Sequence, residues 1–141
     1  AEKGVALCAT LAAPDAILQY GGWRKGVDPE PERLQRKRKS FRAALEAGVP
    51  IVAGGDVGVF SHGDNVRELE LMEEYGMDRM AVLRSATSGN AELLGLDGLG
   101  KIASGYLADI IAVAGDPREG WQVLRAVNWV MKGGEVVKDN R

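Results

Sequence analysis

The first half of the chain alternates short, uninterrupted apolar segments with a longer amphipathic one. Residues 5–11 (VALCATL) lie between Gly4 and Pro14 and are typical of a strand buried on both faces. Residues 49–53 have the same character and predict a second buried strand. Between the two, residues 33–47 predict a helix whose apolar positions recur on one face. These positions are Leu34, Phe41, Ala44 and Leu45.

The segment between the first strand and this helix predicts a long loop. Residues 14–31 contain three prolines and three glycines, which interrupt any regular hydrophobic pattern. Loops of this length inside compact domains are often functional.

Three short helices are predicted in the middle of the chain. Asn65 and Glu68 have the spacing of a capping box at the start of the first one. Asp78 is the expected N-cap of the second. The predicted helices cover residues 66–75, 79–86 and 91–94.

The last third of the chain changes to short strand-like segments, at residues 107–114, 127–131 and 135–138. Gly133-Gly134 lies between the last two and predicts a hairpin turn. The order of elements therefore indicates an α/β chain with parallel strands first and antiparallel strands last. Two parallel strands cannot close a barrel, so we infer that these elements belong to a larger fold.

Composition and charge exclude several classes of protein. The 141 residues are 45% hydrophobic and 27% charged, as in one ordinary globular domain. A net charge of −2 disfavours partners such as nucleic acid or anionic membranes. The sequence contains no long apolar run, so we expect no transmembrane helix in it. The single cysteine, Cys8, cannot form an internal disulfide, so we expect a cytoplasmic location. The single histidine excludes a histidine-rich metal site made by this chain alone.

Asp56 is the strongest candidate for chemistry. It follows the second predicted strand, at the carboxyl end where α/β barrels place their catalytic groups. A carboxylate there binds a metal ion or transfers a proton. Spacing alone leaves open a second interpretation, in which Asp56 is a turn residue bonded to its own backbone.

His62 is the second candidate, because it lies in the glycine-containing loop after the same strand. A histidine in such a loop is free to contact substrate or to act as an acid or base near neutral pH. The alternative is an ordinary exposed histidine, or one that stabilises the loop.

Two other features have simpler interpretations. The basic run at residues 36–39 lies in a predicted helix, where its side chains spread around the axis, and it is interpreted as a solvated face. Cys8 lies in an apolar strand without a basic neighbour in sequence and is interpreted as a small core residue.

Four ordered segments together resemble the C-terminal third of the metal-dependent amidohydrolase superfamily. They are similar to the branch that contains imidazolonepropionase-like and Xaa-Pro dipeptidase (prolidase)-like members. The segments are residues 51–77, 81–95, 100–117 (GKIASGYLADIIAVAGDP) and 130–137. The third segment is the most diagnostic, because it marks the small β-domain that follows the barrel in these enzymes.

The resemblance implies a fold and a division of the chain. Residues 1–97 would be the C-terminal part of the hydrolase barrel, containing the last two β/α units of a TIM-like (β/α)8 barrel. Residues 98–141 would be the C-terminal strands of a composite β-sandwich. Ala9 and Gly55 stand where the family commonly has Pro and Ser or Thr, and neither change removes a ligand.

The resemblance also implies roles for both candidate residues. Asp56 matches the aspartate of the eighth strand, which binds the metal and transfers protons, and His62 lies in the loop that contacts substrate. The His-x-His pair, the lysine and the remaining histidines of the family's metal site have no counterpart here. A divalent metal, zinc in the first instance, would therefore bind only together with ligands from the missing N-terminal barrel portion.

We therefore expect the C-terminal part of a metal-dependent amidohydrolase that cleaves an amide or peptide bond in a small, dipeptide-like substrate. The isolated chain should be inactive, and its open strand edges should cause it to self-associate. The alternative is a non-catalytic assembly chain that completes a barrel with a separate N-terminal chain.

Overall fold

A computed structural model describes residues 4–141, which form a mixed α/β fold with two separate sheets. The strands are β1 (Leu7–Cys8), β2 (Ile51–Val52), β3 (Ile110–Val113), β4 (Val127–Lys132) and β5 (Glu135–Asp139). The helices are α1 (Ala12–Tyr20), α2 (Glu32–Glu46), α3 (Val66–Glu74), α4 (Arg79–Ser85) and α5 (Ser88–Leu93). A short 3-10 helix covers Trp121–Arg125. None of the helices in this part of the chain has the length and apolar character needed to cross a bilayer.

The two strands predicted in the first half are present and parallel, but they are short. Leu7 pairs with Ile51 and Cys8 with Val52. The ladder stops there because the chain turns to other partners: the N–H of Ala53 donates to Ser85 O at 3.2 Å. The prediction that the strand is buried on both faces was confirmed for β2. It was wrong for β1, where Cys8 is exposed. The interpretation of Cys8 as a core residue was therefore also wrong.

The prediction of a loop over residues 14–31 was wrong in its first part, because helix α1 occupies Ala12–Tyr20. Pro14 is compatible with this helix since it is the third helical residue, where a backbone N–H has no partner within the helix. The rest of the segment is irregular and reaches α3, where Lys25 pairs with Glu74 at 2.6 Å.

The N-terminus of α1 is capped by a distant carboxylate. Glu68 Oε1 accepts from the N–H of Leu11 at 2.9 Å, and Oε2 accepts from the N–H of Ala12 at 2.7 Å. Glu68, Leu11 and Ala12 are 2%, 1% and 0% exposed, so all three residues are buried. The predicted capping box was therefore wrong: Asn65 makes no side-chain cap bond, and Glu68 caps α1 instead of α3.

The other helix predictions were confirmed to within a few residues. Helix α2 buries Leu34 and Phe41, as its pattern indicates. Asp78 caps α4 by accepting from the N–H of Ala81 at 3.0 Å. Helix α5 begins three residues earlier than predicted, at Ser88.

The basic run on α2 is only partly a solvated face. Arg36 and Lys39 are exposed, whereas Arg38 lies over the ring of Tyr75 at 4.5 Å. Arg38 also pairs with Glu30 at 2.6 Å and with Glu74 at 3.1 Å. The side chains thus spread around the axis as expected, and one of them is part of the packing between helices.

The core lies between the parallel pair and helices α1 to α4. Its fully buried large apolar side chains come from α2, α3 and α4, from the N-cap of α1 and from the C-cap of α3; they are Leu11, Leu34, Phe41, Leu71, Met72, Tyr75 and Val82. Phe41 and Tyr75 meet edge to face, with ring centroids 6.2 Å apart. This contact packs α2 against the end of α3.

The last three strands form an antiparallel sheet in the order β3-β4-β5, which confirms the predicted hairpin at Gly133-Gly134. Strand β5 is exposed throughout, and its apolar residues Val136 and Val137 are 51% and 63% exposed. An exposed apolar strand at a sheet edge is a surface on which further strands pack.

The segment before β4 joins this sheet to the helices. Trp121 Nε1 donates to Glu73 Oε2 at 2.6 Å, and the Arg79 guanidinium lies 5.5 Å from the Trp121 ring centroid. Arg125 forms ion pairs with Asp64 and with Glu70, the latter at 2.7 Å. These contacts fix the start of β4 against α3.

We expect the Glu68 carboxylate to be a major contributor to stability. Glu68→Ala leaves two buried N–H groups without an acceptor, which should lower the free energy of unfolding by about 2–5 kcal/mol. Denaturant unfolding of the purified protein measures this effect. Glu46→Ala, on an exposed position of α2, is the control and should change stability by less than about 0.5 kcal/mol. Equal effects of the two substitutions would contradict the role of Glu68.

Candidate functional site

The carboxyl ends of β1 and β2 meet at one edge of the parallel pair, and both lead into strained backbone. Thr10 follows β1 with φ 47°, and Asp56 follows β2 with φ 58°. They are the only residues other than glycine with positive φ in the described part of the chain. Such strain costs about 1–3 kcal/mol per residue and clusters at functional sites. The backbone geometry therefore marks this edge as a candidate site.

Glycines allow the two strand ends to approach closely. A Cβ atom at Gly54 would lie 2.5 Å from Cys8 Sγ, and a Cβ atom at Gly55 would lie 3.1 Å from Phe60 Cζ. Gly54 O also accepts a weak bond from Cys8 Sγ at 3.8 Å. The absence of a side chain at Gly54 therefore lets the chain after β2 pass close to Cys8 of β1, and its absence at Gly55 makes room for the Phe60 ring.

The Asp56 side chain is exposed, and its carboxylate forms no hydrogen bond or ion pair with any residue of the described chain. The backbone carbonyl of Asp56, by contrast, accepts from the N–H of Val59 at 3.3 Å. The alternative of a turn aspartate whose side chain bonds to its own backbone is therefore not what this structure shows. The carboxylate is left available for a ligand.

Asp56 lines two cavities. The smaller one, of about 270 Å³, lies between the strand ends and helices α1 and α2, and Thr10, Arg33 and Lys37 also line it. The larger one, of about 850 Å³, is an open and mainly apolar groove between the β2 end and the antiparallel sheet. Ile111 and Val127 are among the sheet residues that line this groove.

Glu68 lies beneath the site and also lines the larger groove. Burial raises the pKa of this carboxyl above its usual value, and the N–H donors of Leu11 and Ala12 and the charge of Lys37 oppose part of that rise. Glu68 thus supports the strand ends by hydrogen bonding, and both its oxygens are already used.

The loop that carries His62 is held at two points. Phe60 is buried, and Asp64 pairs with Arg125. His62 itself is exposed and lines neither of the two cavities that Asp56 lines. The described contacts do not bring His62 and Asp56 together, and a substrate contact by His62 stays a prediction.

Two further residues hold the end of β2, and sequence reasoning missed both. Asn90 Nδ2 donates to Ala53 O at 2.9 Å, and Ser85 O accepts from the N–H of Ala53 at 3.2 Å. Asn90 and Ser85 both lie in the segment at residues 81–95, one of those that carry the family resemblance. The resemblance of that segment to the family was the available signal. Its hydrogen bonds to Ala53 could be seen only once the fold was known.

Residues 4–141 contain no group of three or more histidine, cysteine or acidic side chains that could hold a metal ion. Asp56 fits one position of a metal site, because a free carboxylate is a suitable ligand for zinc and related ions. Tight binding would need further ligands, so the described chain offers one ligand and not a complete metal site.

Comparison with known proteins identifies related folds and sequences. Residues 3–137 match the model of the amidohydrolase family. Ochratoxinase of Aspergillus niger is 30% identical over 148 aligned positions, which cover 97% of this chain and 30% of the relative. An uncharacterised protein of Mycobacterium tuberculosis is 38% identical over 93 positions, covering 65% of this chain and 24% of that protein.

Solved structures give the same relationship. A Xaa-Pro dipeptidase with methionine bound in its active site superposes with a TM-score of 0.82 at 38% identity, covering 97% of this chain and 35% of that one. The A. niger ochratoxinase structure superposes with a TM-score of 0.77 at 28% identity, covering 98% of this chain and 33% of that one. The chain spans about a third of the length of these relatives.

The strained backbone at Thr10 leads to a testable prediction about stability. Thr10→Gly should raise the free energy of unfolding by about 1 kcal/mol, because glycine adopts a φ of 47° without the cost that a β-branched residue pays. Thermal and denaturant unfolding measure the change. Thr87→Gly is the matched control, since Thr87 has φ −128° and bonds to Leu83 O, and it should lower stability. A similar loss in both variants would show that Thr10 is not strained.

Proposed function

The chain belongs to the amidohydrolase family, and from this premise we propose that it supplies Asp56 to the active site of a metal-dependent hydrolase that cleaves amide or peptide C–N bonds. The observation that carries the proposal is the free Asp56 carboxylate, held in strained backbone at the carboxyl ends of two parallel strands. A small, dipeptide-like substrate is the proposed class, since the proteins of similar structure include a Xaa-Pro dipeptidase and a prolidase complexed with N-methylphosphonate-L-proline.

Asp56 would serve as a ligand and as a proton carrier. A divalent metal ion, proposed to be zinc, would supply Lewis-acid activation of the scissile carbonyl and of water. The Asp56 carboxylate accepts the proton released as water attacks the carbonyl carbon, and it returns that proton to the leaving nitrogen. The backbone at Asp56 places the side chain at the carboxyl end of β2, where the carboxylate is free to take part in both transfers.

The proposed function requires further β/α units of a barrel, which these residues do not contain. We propose that residues 1–97 are the last two β/α units of a (β/α)8 barrel and that residues 98–141 are C-terminal strands of a β-sandwich. The short parallel pair has two open edges, and the 850 Å³ groove beside it is mainly apolar. The preceding barrel portion would pair with the strands, add the other metal ligands and cover exposed side chains; without it we expect an inactive, self-associating chain.

No nucleic-acid or membrane partner is proposed, and the proposed location is cytoplasmic.

The second candidate is a non-catalytic chain that completes a barrel made with a separate N-terminal chain. It is favoured by one observation: the residues that the structure describes contain no group of three or more histidine, cysteine or acidic side chains that could hold a metal ion. The two candidates differ in whether Asp56 is needed for turnover once the barrel is complete.

Asp56→Asn in the complete protein should lower kcat by about 10²–10⁴-fold, because an amide is a weak ligand and no base. The fold should be retained, since asparagine tolerates a φ of 58°. Hydrolysis of a dipeptide panel and metal content by elemental analysis measure the effect. Asp97→Asn, at an exposed position that lines neither of the two cavities, is the control. Turnover equal to wild type in Asp56→Asn would favour the non-catalytic candidate.

His62→Ala tests the proposed substrate contact. If the side chain contacts substrate, the variant should change KM or kcat by about 10-fold while its metal content stays the same. Ser61→Ala, at the neighbouring exposed position, controls for changes in the loop. Identical kinetics for His62→Ala and wild type would show that His62 is an ordinary exposed residue.

A further inference from the structure

A third cavity lies apart from the two that Asp56 lines. Its volume is about 700 Å³, and it shares no lining residue with either of them. Its walls come from the segment between α1 and α2, together with side chains of α1, α2 and the end of α3. Pockets that bind small organic molecules have volumes of roughly 300–1,000 Å³, so this cavity has room for one.

The charged groups of this cavity are already paired. Each of the four acidic side chains in its wall forms an ion pair with a basic one; the pairs are Asp15–Arg67, Asp28–Arg24, Glu30–Arg38 and Glu74–Lys25. Four negative charges therefore face four positive ones. A charged ligand would have no free opposite charge to bind, so the cavity favours a neutral one.

The hydrogen-bonding groups of the wall, by contrast, are not all used. Asp15 Oδ2 and Arg38 Nε are buried and have no partner in the part of the chain that the structure describes. Tyr75 is 1% exposed, and the hydrogen bonds in which it takes part involve its backbone. Its hydroxyl is thus a third group without a partner among the described residues. Because buried polar groups are nearly always hydrogen-bonded, these three point to an occupant with polar atoms.

The Tyr75 hydroxyl is a donor under ordinary conditions. Burial raises the pKa of Tyr75 to about 12, and the positive charge of Arg38 opposes part of that rise. The phenol therefore keeps its proton near neutral pH. The Arg38 guanidinium lies over the same ring, 4.5 Å from its centroid, and the charge of Asp15 also acts on the hydroxyl. The three unpartnered groups consequently belong to one part of the cavity.

The segment between α1 and α2 adds an aromatic wall. Trp23 Nε1 donates to Pro29 O at 3.0 Å, which ties the indole to the chain just before α2. Val27, Pro29 and Leu34 contribute apolar surface to the same cavity. Aromatic and apolar walls with a few free polar groups are typical of sites for flat, mainly apolar molecules.

We propose that this cavity binds a neutral, planar nitrogen heterocycle whose N–H donor and C=O acceptor lie side by side. The N–H of the ligand would donate to Asp15 Oδ2, and its carbonyl would accept from the Tyr75 hydroxyl or from Arg38 Nε. The ring would lie against Trp23. Such a molecule uses one acceptor and one donor of the wall without adding charge.

The proposed ligand site is separate from the site of Asp56, although the same two helices contribute to both. On α1, Pro14 lines the small cavity beside Asp56 and Asp15 lines this one. On α2, Lys37 and Arg38 are divided in the same way. The proposal therefore goes beyond the proposed function. Its test measures binding and not hydrolysis, so its failure would leave the hydrolase assignment unaffected.

Calorimetric titration of the complete protein with carbostyril, a flat bicyclic lactam, tests the proposal. N-methylcarbostyril is the matched probe, because a methyl group replaces the N–H donor while the ring and the carbonyl stay. Wild type should bind carbostyril saturably and the methylated probe about 10-fold more weakly. Absence of saturable binding, or equal affinity for both probes, would overturn the proposal and leave the three polar groups to water.

Tyr75→Phe locates the binding. It removes a hydroxyl that has no partner among the described residues, so the fold should be retained, and affinity for carbostyril should fall by about 10-fold. Tyr20→Phe, at an exposed position outside the cavity, is the control and should bind like wild type. Equal affinity of folded Tyr75→Phe and wild type would place the probe elsewhere and overturn the proposal.

Trp23→Ala is a second variant that does not depend on the buried core. Trp23 lies outside the helices and is only half-buried, so its substitution should not unfold the protein. Loss of the aromatic wall should weaken carbostyril binding by about 5-fold. If Tyr75→Phe fails to fold, this variant decides, and unchanged affinity in Trp23→Ala contradicts the proposed site.

Discussion

Two backbone N–H groups donate to the buried carboxylate of Glu68, and the candidate site depends on this interaction. Leu11 and Ala12 provide the donors just after β1, whereas Glu68 belongs to α3, which follows β2. The carboxylate therefore connects the chain after one strand with the helix after the other. It also allows α1 to begin directly at the strand end, because the orphan N–H groups of the helix are satisfied without a local cap.

This connection explains how a short parallel pair can present a defined site. Only two residues of each strand are paired, which would leave the strand ends poorly fixed by themselves. Glu68 holds the end of β1, and Asn90 and Ser85 hold the end of β2. With those anchors in place, the backbone can retain the strained conformations at Thr10 and Asp56. Because Glu68, Asn90 and Ser85 fix the strand ends, the Asp56 carboxylate is not needed for hydrogen bonding and remains available to a ligand.

The sequence was informative where the determining contacts are local. Helix α2 follows from the spacing of Leu34 and Phe41, the start of α4 from Asp78, and the hairpin from Gly133-Gly134. Helix α1 could not be predicted, because its cap, Glu68, is more than fifty residues away and had a plausible local role in a capping box.

The same distinction applies to the site. Asp56 was identifiable because it lies shortly after the carboxyl end of a buried strand. That Thr10 and Asp56 both have strained backbone at the same edge could be seen only in the folded chain. The position of Arg33 and Lys37 on the cavity wall depends on which face α2 turns toward the strands. A basic run alone does not contain that information. The exposed side of β1 at Cys8 was likewise not visible in an uninterrupted apolar segment.

The most direct test of this account is a crystal structure of the complete protein loaded with zinc, with the metal located by its anomalous scattering. The account predicts zinc bonded to an Asp56 carboxylate oxygen at the carboxyl ends of the parallel strands, with its other ligands outside residues 4–141. Zinc bound without Asp56, with that carboxylate hydrogen-bonded to its own loop, would contradict it.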